Sequence, residues 1–387
     1  MTLPALVPAP VRRWAPIVVL LALAGHAVVL ALWPDAHLLL IDLQVYRAGG
    51  EHVLAGQPLY AGGVLDTLQF VYPPFAAVVF VPLSLVPMPL LKALWTLATL
   101  LLLGAVVRRC LRQLGGPDPT VLVVAVVALA TWLDPVRTTL YLGQINVVLL
   151  ALVALDLLDG GDRRWRGVGV GVAAALKLTP LLFVAYLLVT GRVRAAATSV
   201  AAFVAAGVLG FVVAPADSVT YWLRGTFAAA DRISPPAANT NHSVAGWLAR
   251  LLGDVTPLYV AAAAVLVGAT LAVAVRAHRA GEELLAVTLC GLCTAAAAPF
   301  AWSHHWVWVV PLVVLLGRRA LAGDRGARWL LGVVLVATLA VITALPGPGV
   351  GPIPSTGLIS LWPEAYLALF VVVLVAEAVR LRRHVTA

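Results

Sequence analysis

Long apolar runs separated by short polar stretches extend from one end of the chain to the other. Many of the runs cover about 17–22 residues, which is enough for a helix to cross a bilayer. Backbone groups inside hydrocarbon need internal hydrogen bonds, and the sequence lacks the strict alternation of a membrane barrel. The pattern predicts an all-α polytopic membrane protein, with one transmembrane domain covering residues 1–387 and no sizeable soluble domain.

The basic residues at the ends of the apolar runs predict the orientation of the chain. Arg12 and Arg13 precede the first run, and Arg380 begins the basic cluster that closes the last one. Such clusters stay on the cytoplasmic side. The chain is therefore predicted to cross about twelve times, with both termini in the cytoplasm. Residues 34–72 and 214–255 are then predicted to form extended periplasmic loops.

Composition supports a membrane location rather than a nucleic-acid partner. Hydrophobic residues make up 62% of the chain, charged residues only 11%, and the mean hydropathy is +1.00. The net charge of +9 and the pI near 10.0 would suggest nucleic acid for a soluble protein. Here the positions of the basic residues account for that charge, so we expect no nucleic-acid partner.

Several segments depart from the pattern of simple spans. Residues 42–54 are predicted to form a short interfacial helix, because polar side chains interrupt their apolar positions. The segment 73–87 is short for a span and is read as re-entrant or interfacial, which leaves 90–107 as the second crossing. Residues 167–190 have basic residues at both ends, so we predict two half-width helices that meet at Lys177–Pro180. Broken helices at membrane depth are tolerated where they line a cavity.

Two positions carry most of the candidate chemistry. Asp42 follows the first run and could anchor or cap an interfacial helix, or act as a general base. Lys177 is one of only two lysines in the chain and falls inside an apolar segment. A charge at membrane depth suggests a functional site, and a phosphate is a natural partner for an ammonium, although snorkelling toward water is the alternative.

Other motifs have simpler interpretations. His304 and His305 lie among tryptophans, which fits an interfacial aromatic belt or donors to a phosphate or sugar, with too few neighbouring ligands for a metal site. The glycines at 167, 169 and 171 lie in an apolar helix and favour close helix packing over nucleotide binding. Cys290 and Cys293 have no second pair that would make a zinc site.

The order of the polar motifs resembles glycosyltransferase family 87. This family contains GT-C-type enzymes, among them polyprenyl-phosphate-mannose-dependent α-mannosyltransferases that build phosphatidylinositol mannosides and lipomannan. The resemblance covers nearly the whole chain. It rests on Asp42–Arg47, Gly56–Tyr60, Tyr72–Phe75, Gly143–Asn146, Leu176–Pro180, Asn241–Ser243 and Ser303–Trp306.

The resemblance implies a GT-C fold and a set of site residues. Asp42 would be the catalytic base, and Lys177 with His304 or His305 would contact phosphate and sugar. The donor substrate would be polyprenyl-phosphate-mannose, with no separate cofactor and no metal. The remaining residues expected to bind substrate are Tyr46, Arg47, Tyr72, Arg137, Gln144, Asn146, Asn241 and Ser243.

The resulting hypothesis is an inverting mannosyltransferase of the inner (plasma) membrane, with its active site facing the periplasm. Its partners would be the lipid-linked donor, a glycolipid acceptor and membrane lipids, and we expect a monomer. One alternative keeps the fold but uses another polyprenyl-phosphate sugar, such as arabinofuranose. A second alternative is a lipid or solute transporter, which predicts an internal repeat that the sequence does not contain.

Overall fold

The computed structural model describes residues 9–32, 40–115, 120–159, 164–229, 232, 234–253, 256–339 and 363–383. The described chain is mostly helical. The helices of its first half are α1 (Ala9–Leu32), α2 (Ile41–Ala55), α3 (Pro74–Ser84), α4 (Met88–Gln113), α5 (Thr120–Ala130), α6 (Asp134–Leu142), α7 (Asn146–Leu157), α8 (Val168–Leu176) and α9 (Leu182–Val189). Those of its second half are α10 (Val193–Val213), α11 (Pro215–Ser218), α12 (Val244–Leu252), α13 (Thr256–Arg279), α14 (Glu283–Ala296), α15 (Val309–Leu321), α16 (Arg325–Thr338) and α17 (Ala365–Arg383).

Long apolar helices identify a membrane protein. Within the described residues, α4, α10 and α13 are each long and apolar enough to cross a bilayer by length and composition. Together α6 and α7 would make a fourth such span, bent by 119° at the break between them. Other apolar helices, such as α5 and α14, are shorter. The crossing number of about twelve and the cytoplasmic termini remain predictions.

The predicted first periplasmic loop contains both a helix and a small β-hairpin. The helix α2 matches the expected interfacial helix and ends at Gly56, whose left-handed backbone closes its last turn. The hairpin pairs β1 (Gly63–Leu65) with β2 (Leu68–Gln69), with Leu65 opposite Leu68. This hairpin is a small addition to a described chain that is mostly helical, as predicted. A two-residue turn, with Asp66 at a φ of 50°, allows the strands to pair.

The helix α3 lies against α2 and is too short to cross a bilayer alone. Its 11 residues span about 16 Å of the roughly 30 Å hydrocarbon core. Two glycines of α2 allow the close packing. A Cβ on Gly50 would lie 2.7 Å from the Phe80 carbonyl oxygen, and one on Gly49 would lie 2.5 Å from the ring of Phe70. The predicted loop thus forms a compact unit with the first short helix after it.

Two helix breaks lie side by side and create the polar centre of the molecule. The first separates α6 from α7 at Gly143, which has a φ of 73°. The second separates α8 from α9 at Lys177, whose backbone is extended, and continues through the 3₁₀ turn Thr179–Leu181. This confirms the predicted break in 167–190. The glycines before it serve close packing, since a Cβ on Gly171 would lie 2.2 Å from the Ser199 carbonyl oxygen of α10.

Ion pairs join the helix ends that lie farthest from these breaks. Arg319 near the end of α15 contacts Glu377 of α17 at 2.8 Å and also contacts Glu282, which precedes α14. Arg380 of α17 contacts Glu377 at 2.7 Å and Glu282 at 2.8 Å. We call these four residues the charge network. It connects α14, α15 and α17 at one end of the protein.

Candidate active site

Seven of the predicted site residues meet where the two helix breaks approach the start of α2. They come from α2, the segment before α3, the α6–α7 break, the α8–α9 break and the turn Ser303–Trp306, which we call the His turn. Residues far apart in sequence are brought within hydrogen-bonding distance of one another. This polar cluster consists of Asp42, Tyr46, Tyr72, Gln144, Asn146, Lys177 and His305.

Gln144 is the hub of the polar cluster. Its Oε1 accepts a hydrogen bond from the Tyr46 hydroxyl at 3.0 Å, and the Tyr72 hydroxyl and the Asn146 amide nitrogen lie 3.4 Å away. The two tyrosine hydroxyls are 2.9 Å apart. Because the oxygen faces these donors, the Gln144 amide nitrogen is directed to Asp42, to which it donates a hydrogen bond.

The backbone around Asp42 is held tightly in place. Leu40, just before α2, has a left-handed backbone with a φ of 49°, and its amide donates to the Tyr141 carbonyl at 2.8 Å. The start of α2 also packs directly onto Gly143. A Cβ at that position would lie 2.9 Å from the Cβ of Leu43 and 3.2 Å from the Cβ of Leu40. A strained residue and a close approach therefore fix the position of the carboxylate.

The environment of Asp42 suits a base. Burial raises the pKa of its carboxyl to about 6, an effect that the hydrogen bond from Gln144 and a positive charge on Lys177 oppose. A carboxylate with this pKa is still mostly ionised at neutral pH. It is also a stronger proton acceptor than an ordinary aspartate, whose pKa is near 3.9.

Lys177 and His305 form a close pair on the other side of the cluster. The Lys177 Nζ lies 2.7 Å from the His305 Nε2 and 3.2 Å from the Asn146 Oδ1, and it faces the Tyr72 ring at 5.8 Å. The backbone amide of Trp302 donates to the His305 Nδ1 at 3.1 Å. Burial lowers the pKa of His305, so its imidazole is neutral.

A cavity of about 350 Å³ opens beside the cluster. This volume falls within the usual range for ligand pockets. Its polar wall includes Tyr72, Gln144, Lys177 and His305. Its apolar wall is formed by α9, α13, α14 and the segment before α12, through side chains that include Leu182, Val267, Ala297 and Phe227. The cavity therefore offers both polar and apolar side chains to the same ligand.

Five other predicted site residues lie outside the polar cluster, and three of these are Arg47, Arg137 and His304. Arg47 pairs with Glu51 at 3.3 Å and donates to a backbone carbonyl at the end of α3. Arg137 lies on α6 near Asp134, and its Nη1 has no hydrogen-bond partner among the described residues. His304 is buried and stacks on Trp302, and both of its ring nitrogens lack a partner in the same part of the chain. Of the two histidines, His305 is the one that contacts Lys177.

Asn241 and Ser243 hold a loop together. The Asn241 Oδ1 accepts hydrogen bonds from the Ser243 hydroxyl at 2.8 Å and from the Ala301 amide at 3.1 Å. The Asn241 amide nitrogen donates to two backbone carbonyls, and the Ser243 hydroxyl caps α12. Both residues are fully buried. Their hydrogen bonds thus connect the loop before α12 to the chain just ahead of the His turn.

Sequence reasoning missed several residues that shape the site. Gly143 and Trp302 stood next to predicted residues, but their roles depend on backbone contacts that spacing does not reveal. Tyr221 and Phe227 line the cavity from the predicted loop 214–255. An aromatic-rich stretch in an otherwise polar loop was the available signal for them.

Candidate metal ligands do not cluster in the part of the chain that the structure describes. No set of three or more His, Cys, Asp or Glu side chains in the described ranges is arranged to hold a metal ion. Lys177 and His305 line the cavity, and Asp42 lies within electrostatic reach of Lys177.

The family model of Glycosyltransferase family 87 matches residues 70–299. The chain belongs to glycosyltransferase family 87. The match covers the α6–α7 and α8–α9 breaks and the loop that carries Asn241, while Asp42 and the His turn lie outside it. The expected family is thereby confirmed, and with it a hexosyltransferase of the membrane.

Curated family 87 proteins are similar over most of the chain. A polyprenol-phosphate-mannose-dependent alpha-(1-2)-phosphatidylinositol mannoside mannosyltransferase of Mycobacterium tuberculosis is 41% identical, over 72% of this chain and 70% of its own length. A protein of the same description from Mycolicibacterium smegmatis is 37% identical, over 83% of this chain and 79% of its own length. No solved structure matches the chain.

Proposed function

We propose that this family 87 enzyme transfers mannose from polyprenyl-phosphate-mannose to a phosphatidylinositol mannoside, forming an α-(1→2) linkage. The names of its relatives support this donor, this acceptor and this linkage. The observation that carries the proposal is the cavity, whose wall has a polar part with Lys177 and His305 and an apolar part. A polyprenyl phosphate has the same two parts.

The donor would lie with its phosphate beside Lys177 and His305 in the cavity. Lys177 and His305 supply a cation and a ring N–H donor, both of which suit a phosphate oxygen. The first isoprene units would lie against Leu182 and Val267, and the rest of the tail would continue into the bilayer. Such preorganised groups stabilise the charge that develops on the leaving phosphate.

Asp42 would be the base that activates the acceptor. An acceptor hydroxyl gives its proton to the Asp42 carboxylate as its oxygen bonds to the anomeric carbon of mannose. The bond from that carbon to the phosphate oxygen breaks, and its electron pair leaves with the polyprenyl phosphate. One displacement inverts the anomeric centre, so a β-linked donor gives an α-linked product. Lys177 offsets the added negative charge of the leaving group.

The charge network and its neighbours support a periplasmic active site in the plasma membrane. The ends of α15 and α17 that lie away from the site carry Arg318, Arg319, Arg380, Arg382 and Arg383. Basic helix ends remain in the cytoplasm. With that end inside, the polar cluster at the opposite ends of α14 and α15 faces the outer side of the membrane.

The proposal is tested by mannosyl transfer with purified protein, labelled polyprenyl-phosphate-mannose and a phosphatidylinositol mannoside acceptor. Asp42→Asn should lower kcat by about 10²–10⁴, which is typical for loss of a general base. Asp66→Asn is the matched control, because Asp66 is exposed in the hairpin turn and its left-handed backbone suits Asn. No transfer by the wild type, or transfer only from a polyprenyl-phosphate arabinofuranose, would refute the proposed donor. Unchanged activity of Asp42→Asn would refute the base.

A further inference from the structure

The hydrogen bonds of His305 fix which of its ring nitrogens carries the proton. The Trp302 backbone N–H can only donate, and it points at the His305 Nδ1 from 3.1 Å. That nitrogen must therefore be the acceptor of the ring. A neutral imidazole has one acceptor and one donor, so the proton is on Nε2.

This assignment creates a conflict at Lys177 if its side chain is an ammonium. The His305 Nε2–H faces the Lys177 Nζ at 2.7 Å, a distance at which one nitrogen must accept. An ammonium has three donors and no acceptor. A neutral amine, in contrast, can accept from Nε2–H and donate to the Asn146 Oδ1 at 3.2 Å. Only the neutral amine satisfies both contacts.

We propose that Lys177 is a neutral amine before the donor arrives and takes up one proton from water when the donor phosphate binds. The phosphate brings acceptor oxygens and a negative charge, both of which favour the ammonium. The His305 Nε2–H can then donate to a phosphate oxygen instead of to Lys177. The inference rests on the proposed function, because it takes the phosphate of a lipid-linked sugar as the ligand.

The groups around Lys177 agree with a proton that arrives with the substrate. The titratable groups that face it are Asp42 on α2, Tyr72 before α3, and His304 and His305 in the His turn. Among these only Asp42 carries a negative charge at neutral pH. Protonation of Lys177 would strengthen its attraction to Asp42 and keep that carboxylate ionised. Donor binding would thus prepare the base for the acceptor.

The chain offers a direct test because it contains only two lysines, Lys92 and Lys177. In NMR spectra, protein labelled with ¹³C at the lysine Cε should give two signals. In the Lys92→Arg variant only the Lys177 signal should remain. Lys92 lies on α4, outside the polar cluster, so this variant should keep wild-type activity. At about pH 7.5 the Lys177 signal should be that of a neutral amine. Addition of farnesyl-phosphate-mannose should shift it to the ammonium position.

Calorimetry measures the same proton independently. Titration of the protein with farnesyl-phosphate-mannose in buffers of different ionisation enthalpy should report uptake of about one proton per donor. The phosphodiester of farnesyl-phosphate-mannose does not titrate near neutral pH, so the proton must go to the protein. Lys177→Arg should abolish the uptake, because a guanidinium is always charged. Binding without proton uptake, or an ammonium signal before addition, would overturn the inference. Failure of the wild type to bind this probe would instead overturn the proposed function.

Discussion

Gly143→Ala is predicted to impair catalysis by moving Asp42, although residue 143 need not touch either substrate. The new Cβ would lie 2.9 Å from the Leu43 Cβ, and ordinary contact begins at 3.4 Å. Because a β-carbon cannot rotate away, the start of α2 must shift by about half an ångström. A misplacement of about 1 Å can cost roughly 100-fold in rate. We therefore expect kcat to fall by about 10-fold.

The same substitution also strains the backbone, and this effect needs its own control. An alanine in the left-handed region costs about 1–2 kcal/mol, and Gly143 has a φ of 73°. Gly191 has a φ of 76°, yet a Cβ there would meet nothing within 4 Å. Gly191→Ala should therefore lower the free energy of unfolding by a similar amount and leave kcat unchanged.

Steady-state mannosyl transfer and thermal unfolding of the purified variants measure both effects. A double mutant makes the test specific, because neighbouring residues that act together are not additive. If Gly143→Ala works by displacing the Asp42 carboxylate, it should have little effect on kcat in an Asp42→Asn background. A full 10-fold loss in that background would refute the reasoning, as would wild-type kcat in a Gly143→Ala protein that is destabilised to the same extent as Gly191→Ala.

Two further predictions concern pH and stability. The kcat/KM of mannosyl transfer should rise with pH through about 6, because only the ionised Asp42 accepts a proton and burial raises the pKa of Asp42 to that value. A flat pH profile from one unit below to one unit above that midpoint would contradict the assignment. Glu377→Gln should destabilise the protein by about 1.5–3 kcal/mol, because the buried Glu377 accepts charged hydrogen bonds from both Arg319 and Arg380. Thermal unfolding measures this loss, and Glu51→Gln is the control for Glu377→Gln. The Glu51 carboxylate is exposed, and exposed ion pairs contribute at most about 1 kcal/mol. Equal losses of stability in the two variants would argue against a stabilising charge network.

The helix break at Lys177 was predictable because local chemistry determines it. A lysine is costly inside an apolar helix, and Pro180 three residues later cannot continue the hydrogen bonds of that helix. Seven of the twelve residues that the family resemblance implies for the site lie in the polar cluster. At Lys177 in particular, the sequence places an ionisable group where hydrocarbon should be, and the helix break allows it to line a cavity.

The sequence could not show which partner each polar side chain would contact after folding. Asn241 stands in a motif expected to contact substrate. Its side-chain oxygen, however, accepts hydrogen bonds from the Ser243 hydroxyl of its own loop and from the backbone amide of Ala301. His304 and His305 are equivalent in sequence, and only the direction of the His turn brings one of them to Lys177. The β-hairpin after α2 could not be predicted, because glycine and proline dominate that stretch and pairing between two such short strands leaves no periodic pattern.

The orientation of Gln144 has a consequence for the charge of Asp42. Its oxygen faces three donor groups, from Tyr46, Tyr72 and Asn146, so the amide cannot flip without losing all of them. A glutamate has the same shape, but it would place a second carboxylate against Asp42 and favour protonation of one of the two. A change from nitrogen to oxygen at this position would thus set residue 144 in competition with Asp42 for the ionised state. The choice of an amide at position 144 therefore helps to keep the base at position 42 ionised.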